Sequence, residues 1–134
     1  MKKLRVNICA SQDSFGAYAT DYEGLYAAGD TITDCQKDFF RAIEDVRREF
    51  PREQWPAILK EDYEVEWHYD IQSLLLHYGS LLSLSALERI TGIHQKQLWA
   101  YMHGRSHPCR PQAEKIEKAM RNFGHELAGI CVQA

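Results

Sequence analysis

Three polar side chains, Gln95, Lys96 and Gln97, follow one another directly before a short apolar-patterned segment. In the DNA major groove a glutamine amide can bond adenine through two hydrogen bonds, and a lysine or arginine can reach guanine or a phosphate. Further polar and aromatic residues that could join such a contact lie close by in the chain, and they are His94, Trp99, His103, Arg105 and Arg110. These residue types predict contact with double-stranded DNA, with glutamines on base edges and arginines on phosphates.

The elements that would position these residues are two short helices joined by a glycine turn. Apolar residues recur at helical spacing up to Thr91, stop at Gly92, and recur again until Gly104. Gly92 suits the left-handed conformation that closes a helix, while His94 falls at the N-cap of the second helix, where serine, asparagine or aspartate is usual. The pattern is the sequence form of a helix-turn-helix, whose second helix enters the major groove.

Helical spacing also predicts which side chains pack and which are exposed. A small core is expected from five apolar residues, which are Leu87, Ile90, Ile93, Leu98 and Tyr101. Gln95, Lys96, Trp99 and His103 point away from that core. Trp99 could face DNA or pack on a neighbouring helix, and the pattern favours packing. The same two helices would also fit an ordinary all-α protein, so the local charge matters.

The charge is unevenly distributed along the 134 residues, whose net charge is −3. Residues 1–69 carry nine Lys/Arg against fourteen Asp/Glu, a net charge of −5, whereas residues 70–134 carry seven against five, a net charge of +2. Between Arg89 and Arg121 there are seven basic residues and two acidic ones. A basic half beside an acidic half favours a DNA-binding domain joined to a domain with another partner.

The compartment follows from what the chain lacks and from its cysteines. No apolar run approaches the roughly 18 residues of a membrane span, and no secretory leader is recognisable, so a cytoplasmic protein is expected. The four widely spaced cysteines (Cys9, Cys35, Cys109 and Cys131) are expected to be small buried residues in a reducing compartment. His103, His107 and Cys109 lack a fourth zinc ligand, so no metal site is expected.

The first half alternates apolar and polar residues with the period of strands, interrupted by one helical stretch. Strands are predicted at 4–9, 15–19, 25–29 and 63–69. A helix from about Thr31 or Thr33 to about Phe50 lies between the third and fourth, with its apolar face formed by Ile32, Phe39, Ile43, Val46 and Phe50. The order is therefore β-β-β-α-β.

The second half becomes helical at Asp70, which is the predicted boundary between domains 1–69 and 70–134. Asp70 can cap a helix to about Leu82. After the two helices described above, Pro111 fits the first turn of a last helix to Phe123, with Gly124 just past its end. For residues 127–132 the pattern leaves a strand and a frayed helix open. The fold class is thus α+β, with an all-α second domain.

Catalytic chemistry is not indicated. Asp13, Asp21, Glu23 and Asp30 lie in turns and strand ends, where turn formation and solvation account for carboxylates. His68 has no evident serine or cysteine partner, neither does His77, and no glycine-rich phosphate loop is present. We expect neither an enzyme nor a cofactor.

The two halves together resemble a known family. The strand-turn-strand-helix signature formed by Tyr18-Ala19, the run Gly24 to Thr31 and Asp34-Cys35 resembles that of HicB-type antitoxins. The second half is similar to a lambda-repressor-type helix-turn-helix through Gly92-Ile93, Leu98 and the stretch from Gly104 to Pro108. The resemblance covers nearly the whole chain and implies a partial ribonuclease-H-like first domain followed by a helix-turn-helix domain.

The resemblance also implies the partners. The first domain would bind and block a small HicA-type toxin that cleaves messenger RNA, and the second would repress the shared operon by binding its DNA operator. Glu88 departs from the alanine common at its place in the motif, which predicts a looser contact between the two helices. A homodimer or higher homo-oligomer is expected, because such modules pair on palindromic half-sites. The alternative is a stand-alone regulator whose first domain binds a ligand or only dimerises.

Overall fold

The chain is described over all of residues 1–134 by a computed structural model, in which it forms two compact units. The first unit is Met1–Leu74 and the second is Leu75–Ala134. The division falls inside a helix, and the second unit begins five residues later than the Asp70 expected from the change in periodicity. The structure is α+β, as predicted, with a four-stranded mixed sheet and five α-helices. No helix is both long enough and apolar enough to cross a membrane.

The first unit contains the sheet. Its elements are β1 (Lys2–Ala10), β2 (Phe15–Ala19), β3 (Tyr26–Gly29), α1 (Ile32–Glu49), two short 3-10 turns (Arg52–Gln54 and Ala57–Lys60) and β4 (Tyr63–Tyr69). The strand order in space is β3-β2-β1-β4. The first three strands are antiparallel, and β4 lies parallel to β1 because α1 and the 3-10 turns carry the chain back across the sheet.

One face of the sheet is buried, and α1 shares that core. The apolar residues of β1, Leu4, Val6 and Ile8, are at most 1% exposed, and α1 contributes Phe39 and Ile43 to the same core. Burial of alternate residues along β1 follows from the period of two in a strand, with the polar residues on the other side. The helix begins as predicted at the Thr31 cap, whose hydroxyl accepts a hydrogen bond from the Asp34 N–H at 3.0 Å.

Two predictions for the first unit are wrong in detail. Phe50 was expected on the buried face of α1 but is 49% exposed, because the helix ends at Glu49 and Phe50 already has extended backbone angles. Leu25 was expected in the third strand, which begins one residue later, although its side chain is buried. The other predicted strands occur at the expected places, and β1 is longer at both ends.

The open edge of β3 is occupied by a side chain of α1. Ala19 donates its N–H to the Leu25 carbonyl, so alternate residues of β3 pair with β2 and the Ala28 N–H points away from the sheet. That N–H donates to Asp38 Oδ2 at 3.1 Å, and the Arg41 guanidinium holds the other oxygen of the same carboxylate. The hydrogen bond from Arg41, and then that from Ala28, keep the pKa of Asp38 below its usual value.

The second unit is helical. It contains the end of α2 (Ile71–Tyr78), then α3 (Leu84–Thr91), α4 (Gln95–Met102) and α5 (Arg110–Ala128). The Asp70 side chain caps α2 as predicted, accepting a hydrogen bond from the Ser73 N–H at 2.7 Å. The helix ends at Tyr78 rather than near Leu82, because residues 79–81 form turns, in which the Ser80 N–H donates to the His77 carbonyl at 3.3 Å and the Leu81 N–H to the Tyr78 carbonyl at 3.0 Å.

The last helix is longer than predicted. Gly124 was expected just past its end, but α5 continues through Gly124 to Ala128, with Gly129 as the C-cap. A single glycine lowers the stability of a helix by only about 1 kcal/mol, and the neighbouring helical turns offset this loss. Residues 129–134 have no regular structure, so Leu127 and Ala128 end a helix and no strand follows.

The cysteines only partly follow the expectation of burial. Cys35 is buried in the first core and Cys9 is half-buried, and burial raises the pKa of both thiols. Cys109 and Cys131, however, are exposed. Cys109 immediately precedes α5, and Cys131 lies in the irregular C-terminal segment, so neither has a packed face to enter. All four are free thiols.

Candidate nucleic-acid interface

The turn between α3 and α4 is held by three local contacts. Gly92 adopts the left-handed conformation at φ 75°, as predicted, and its N–H donates to the Glu88 carbonyl at 2.7 Å. The Thr91 hydroxyl donates to the Leu87 carbonyl and accepts from the Ile93 N–H at 3.2 Å. Thr91 is only 4% exposed, so its hydroxyl provides hydrogen-bond partners for two backbone groups that are buried in the core.

The start of α4 is capped by two side chains. His94 is the N-cap, as predicted, and its Nδ1 accepts a hydrogen bond from the Lys96 N–H at 3.1 Å. The second is Glu88 of α3, whose Oε1 accepts a hydrogen bond from the backbone N–H of Gln95 at 2.8 Å. A helix start leaves its first N–H groups without partners, and a carboxylate there also meets the positive end of the helix dipole. Glu88 therefore ties α4 to α3, contrary to the looser contact expected at this position.

The small core beneath these helices contains most of its predicted members. Leu87, Ile93, Leu98 and Tyr101 are at most 6% exposed, and Ile90 is half-buried. Packing of this kind fixes the rotation of α4 about its axis. It follows that the polar face of α4 is directed outward.

The polar face of α4 begins with the three predicted residues, all exposed. Gln97 is partly engaged, because its amide nitrogen donates to the Ser106 hydroxyl at 3.0 Å. The side chains of Gln95 and Lys96 form no hydrogen bond or ion pair within the chain. One amide with a donor and an acceptor and one ammonium group are therefore free to contact a ligand.

At the end of α4, a histidine ring and an arginine guanidinium lie close to the ring of Trp99. The rings of Trp99 and His103 lie 4.2 Å apart at an angle of 26°, and the Arg105 guanidinium lies 5.7 Å from the Trp99 ring centroid. Gly104, at φ 69°, turns the chain so that the Arg105 N–H donates to the Ala100 carbonyl at 2.8 Å. Arg105 is thereby brought back over the helix that precedes it.

One prediction about this face needs correction. Trp99 was expected to pack on a neighbouring helix, but it is 42% exposed and stacks on His103 of the turn that ends its own helix. Arg110, which was also predicted to contact DNA, begins α5, and its guanidinium donates a hydrogen bond to Glu114 of that helix at 3.2 Å. Its contact with DNA stays a prediction. The other seven predicted residues lie on α4 or in the turns at its two ends.

Sequence reasoning missed two residues that shape this face. Glu88 was noted only as a departure, and nothing in the spacing shows that its carboxylate would reach the next helix. Ser106 lies within the predicted turn between Gly104 and Pro108, but its contact with Gln97 depends on how that turn folds back. Its position after a glycine, in a turn that returns to the helix, is the signal that could have found it.

The arrangement suits contact with a polyanion. The outward groups of α4 and the turn after it are one free amide, one lysine, one arginine and an exposed aromatic pair. Such groups can bond base edges, neutralise phosphates and stack. No group of three or more His, Cys, Asp or Glu side chains is placed to hold a metal ion.

Comparison with known proteins adds no relative. The chain matches no protein-family model, no curated protein and no solved structure.

Proposed function

We propose that this chain is a HicB-type antitoxin whose second unit is a DNA-binding helix-turn-helix. In this proposal α4 enters the major groove of an operator, and the bound protein represses the operon. The first unit, a partial ribonuclease-H-like domain, binds and neutralises a small HicA-type toxin that cleaves messenger RNA.

One observation carries the DNA-binding part of the proposal. The side chains of Gln95 and Lys96 are free and lie on the first turn of α4. The position of this helix is fixed by the hydrogen bond from Glu88 at its start and by the packed core on its opposite face. A recognition helix needs exposed polar side chains on a helix whose position is fixed, because base recognition depends on holding those side chains in a defined position relative to the bases. Arg105, near the other end of the helix, adds a cation for a phosphate.

Support for the toxin-binding part comes from the first unit and is independent of α4. The element order β-β-β-α-β is compatible with the domain that the resemblance implies. Residues 1–69 have a net charge of −5, which suits a basic protein better than an anionic ligand. On the face of the sheet away from α1, Tyr18 and Tyr26 lie opposite one another, 48% and 71% exposed. Exposed tyrosines are common at protein interfaces.

A binding site can be selected from a randomised duplex DNA library and measured by fluorescence anisotropy. Gln95→Ala should weaken binding to the selected site by about 1–3 kcal/mol, roughly five- to 150-fold, and change non-specific binding little. Arg105→Ala should weaken binding to all sequences and reduce the slope of log affinity against log salt by about one.

Matched controls lie in the first unit. Gln12→Ala removes an exposed glutamine in the β1–β2 turn, and Lys37→Ala removes one exposed positive charge on α1. Both should bind the selected site like the wild type. If the folded variants Gln95→Ala and Arg105→Ala also bind like the wild type, α4 does not recognise DNA. The second unit is then an ordinary all-α domain, and the DNA-binding part of the proposal is wrong.

The toxin is tested by purifying the tagged chain from its native host. A small basic protein in stoichiometric amount, which cleaves messenger RNA alone but not in the complex, is the expected result. Repeated recovery of the chain without such a protein would instead favour a stand-alone regulator whose first domain binds a ligand or only dimerises.

A further inference from the structure

A tryptophan is exposed on the face of α4 that carries the polar side chains. Trp99 is 42% exposed, although tryptophan is a residue type that is largely buried on average in folded proteins. It follows Gln95 by four residues, and residues at this spacing lie on the same face of a helix. A large apolar side chain therefore lies beside the free amide of Gln95, within the proposed DNA-binding surface.

The ring of Trp99 is held in position by its neighbours. Stacking on the His103 ring, 4.2 Å away, covers one face of the indole. His103 is itself fixed, because its Nδ1 lies 2.9 Å from the Trp99 carbonyl and donates a hydrogen bond to that oxygen, which can only accept. The Arg105 guanidinium adds a cation–π contact at 5.7 Å. A side chain held in this way loses little further rotamer freedom when it binds a ligand.

The part of Trp99 that is left for a ligand is the edge of its ring. This edge carries apolar C–H groups and the indole N–H, which donates no hydrogen bond within the chain. Stacking on a base is disfavoured, because the bases of a duplex are already stacked on one another and His103 covers one face of the indole. In the major groove, the apolar group that the bases present is the C5-methyl group of thymine, and the neighbouring O4 atom accepts hydrogen bonds. Thymine therefore matches both parts of the indole edge.

We propose that Trp99 determines sequence specificity by contacting the methyl group of a thymine in the major groove. This inference rests on the proposed DNA-binding function of α4 and names the base feature that one of its residues recognises. At their spacing the Cβ atoms of Gln95 and Trp99 are about 5–6 Å apart, and successive bases of one strand are about 3.4 Å apart. The thymine is thus expected about one or two base pairs from the adenine that Gln95 would bond.

The test uses the full chain and the site selected from the randomised duplex library, with affinities measured by fluorescence anisotropy. Each thymidine of the site is replaced in turn by deoxyuridine, which pairs in the same way and lacks only the methyl group. For the wild type, at least one replacement should weaken binding about fourfold, as expected for the burial of one methyl group. Trp99→Ala should bind the duplexes with and without that methyl group equally, within about 1.5-fold, because the contact is then missing from both.

Two further variants serve as controls. Trp99→Phe keeps an aromatic edge and should retain at least about a twofold effect of the same replacement, because the methyl group still meets an apolar partner. Phe50→Ala removes an aromatic side chain that is similarly exposed, at 49%, from the first unit, and should show the full effect of the wild type. Trp99→Ala should keep the circular dichroism spectrum of the wild type, since alanine favours a helix and the replaced side chain is exposed.

The outcomes separate this inference from the proposed function. A selected site that contains no thymine, or whose affinity depends on no thymine methyl group, would overturn the inference and leave sequence-specific binding in place. An effect of deoxyuridine that persists unchanged in Trp99→Ala would also overturn it, because another residue would then contact the methyl group. If the wild type selects no site at all from the library, the proposed DNA-binding function is wrong, and the inference is wrong with it.

Discussion

The hydrogen bond from the Gln95 N–H to the Glu88 carboxylate should slow the exchange of the Gln95 amide hydrogen with solvent, and this can be measured for that amide alone. Losing a side-chain acceptor at a helix start costs about 0.5–2 kcal/mol, and losing a carboxylate beside the positive end of a helix costs about 0.3–1 kcal/mol. Glu88 is partly exposed, so solvent screening reduces the second contribution. For Glu88→Ala we expect a total of about 1.4 kcal/mol, a factor of ten in the opening equilibrium.

Amide hydrogen exchange followed by NMR is the appropriate assay. In Glu88→Ala the Gln95 amide should exchange about tenfold faster than in the wild type, and in Glu88→Gln, which keeps an acceptor but no charge, about threefold faster. The Lys96 amide is an internal reference, because His94 caps it. The control Glu114→Ala removes an exposed glutamate of α5 and should leave the Gln95 amide unchanged. Gln95 exchange within twofold of the wild type in Glu88→Ala would refute the reasoning.

Two further predictions concern pH and backbone conformation. The folded pKa of Asp38 is lowered, so its contribution to stability is present above the unfolded value of 3.8 and is lost as the pH falls through the lower folded value. Urea unfolding should show Asp38→Asn destabilised at neutral pH and nearly equal to the wild type in strong acid, while Asp21→Asn, at an exposed turn, follows the wild type throughout. Gly124→Ala should raise the free energy of unfolding by about 0.5–1 kcal/mol, since the site is helical and open, whereas Gly92→Ala should lower it by about 1 kcal/mol at its positive φ. Equal signs for the two glycine variants would contradict the assigned backbone conformations.

Local patterns in the sequence predicted the elements of the fold well, because period and capping are encoded within a few residues. The caps at Thr31, Asp70 and His94 all occur, and so does the left-handed Gly92. Helix ends were less predictable. Gly124 is tolerated inside α5 because one glycine is a small cost in a helix of 19 residues.

The candidate site was predictable only in part, for a related reason. Which face of α4 is polar follows from helical spacing, and the exposure of Gln95 and Lys96 agrees with it. What each side chain contacts depends on the turns at the two ends of the helix. The stacking of Trp99 on His103 and the return of Arg105 over that ring arise from the chain reversal at Gly104, which the spacing of apolar residues does not encode.

The carboxylate of Asp38 has a consequence for association that goes beyond the stability of the unit. An edge strand with a free N–H is a template on which a second chain can add a strand. At the β3 edge the Ala28 N–H is already bonded to Asp38, and that carboxylate is held in place by Arg41. An incoming strand would have to displace a charged acceptor before it could form its own hydrogen bond there. The helix that completes the core thus also protects this edge of the sheet against aggregation.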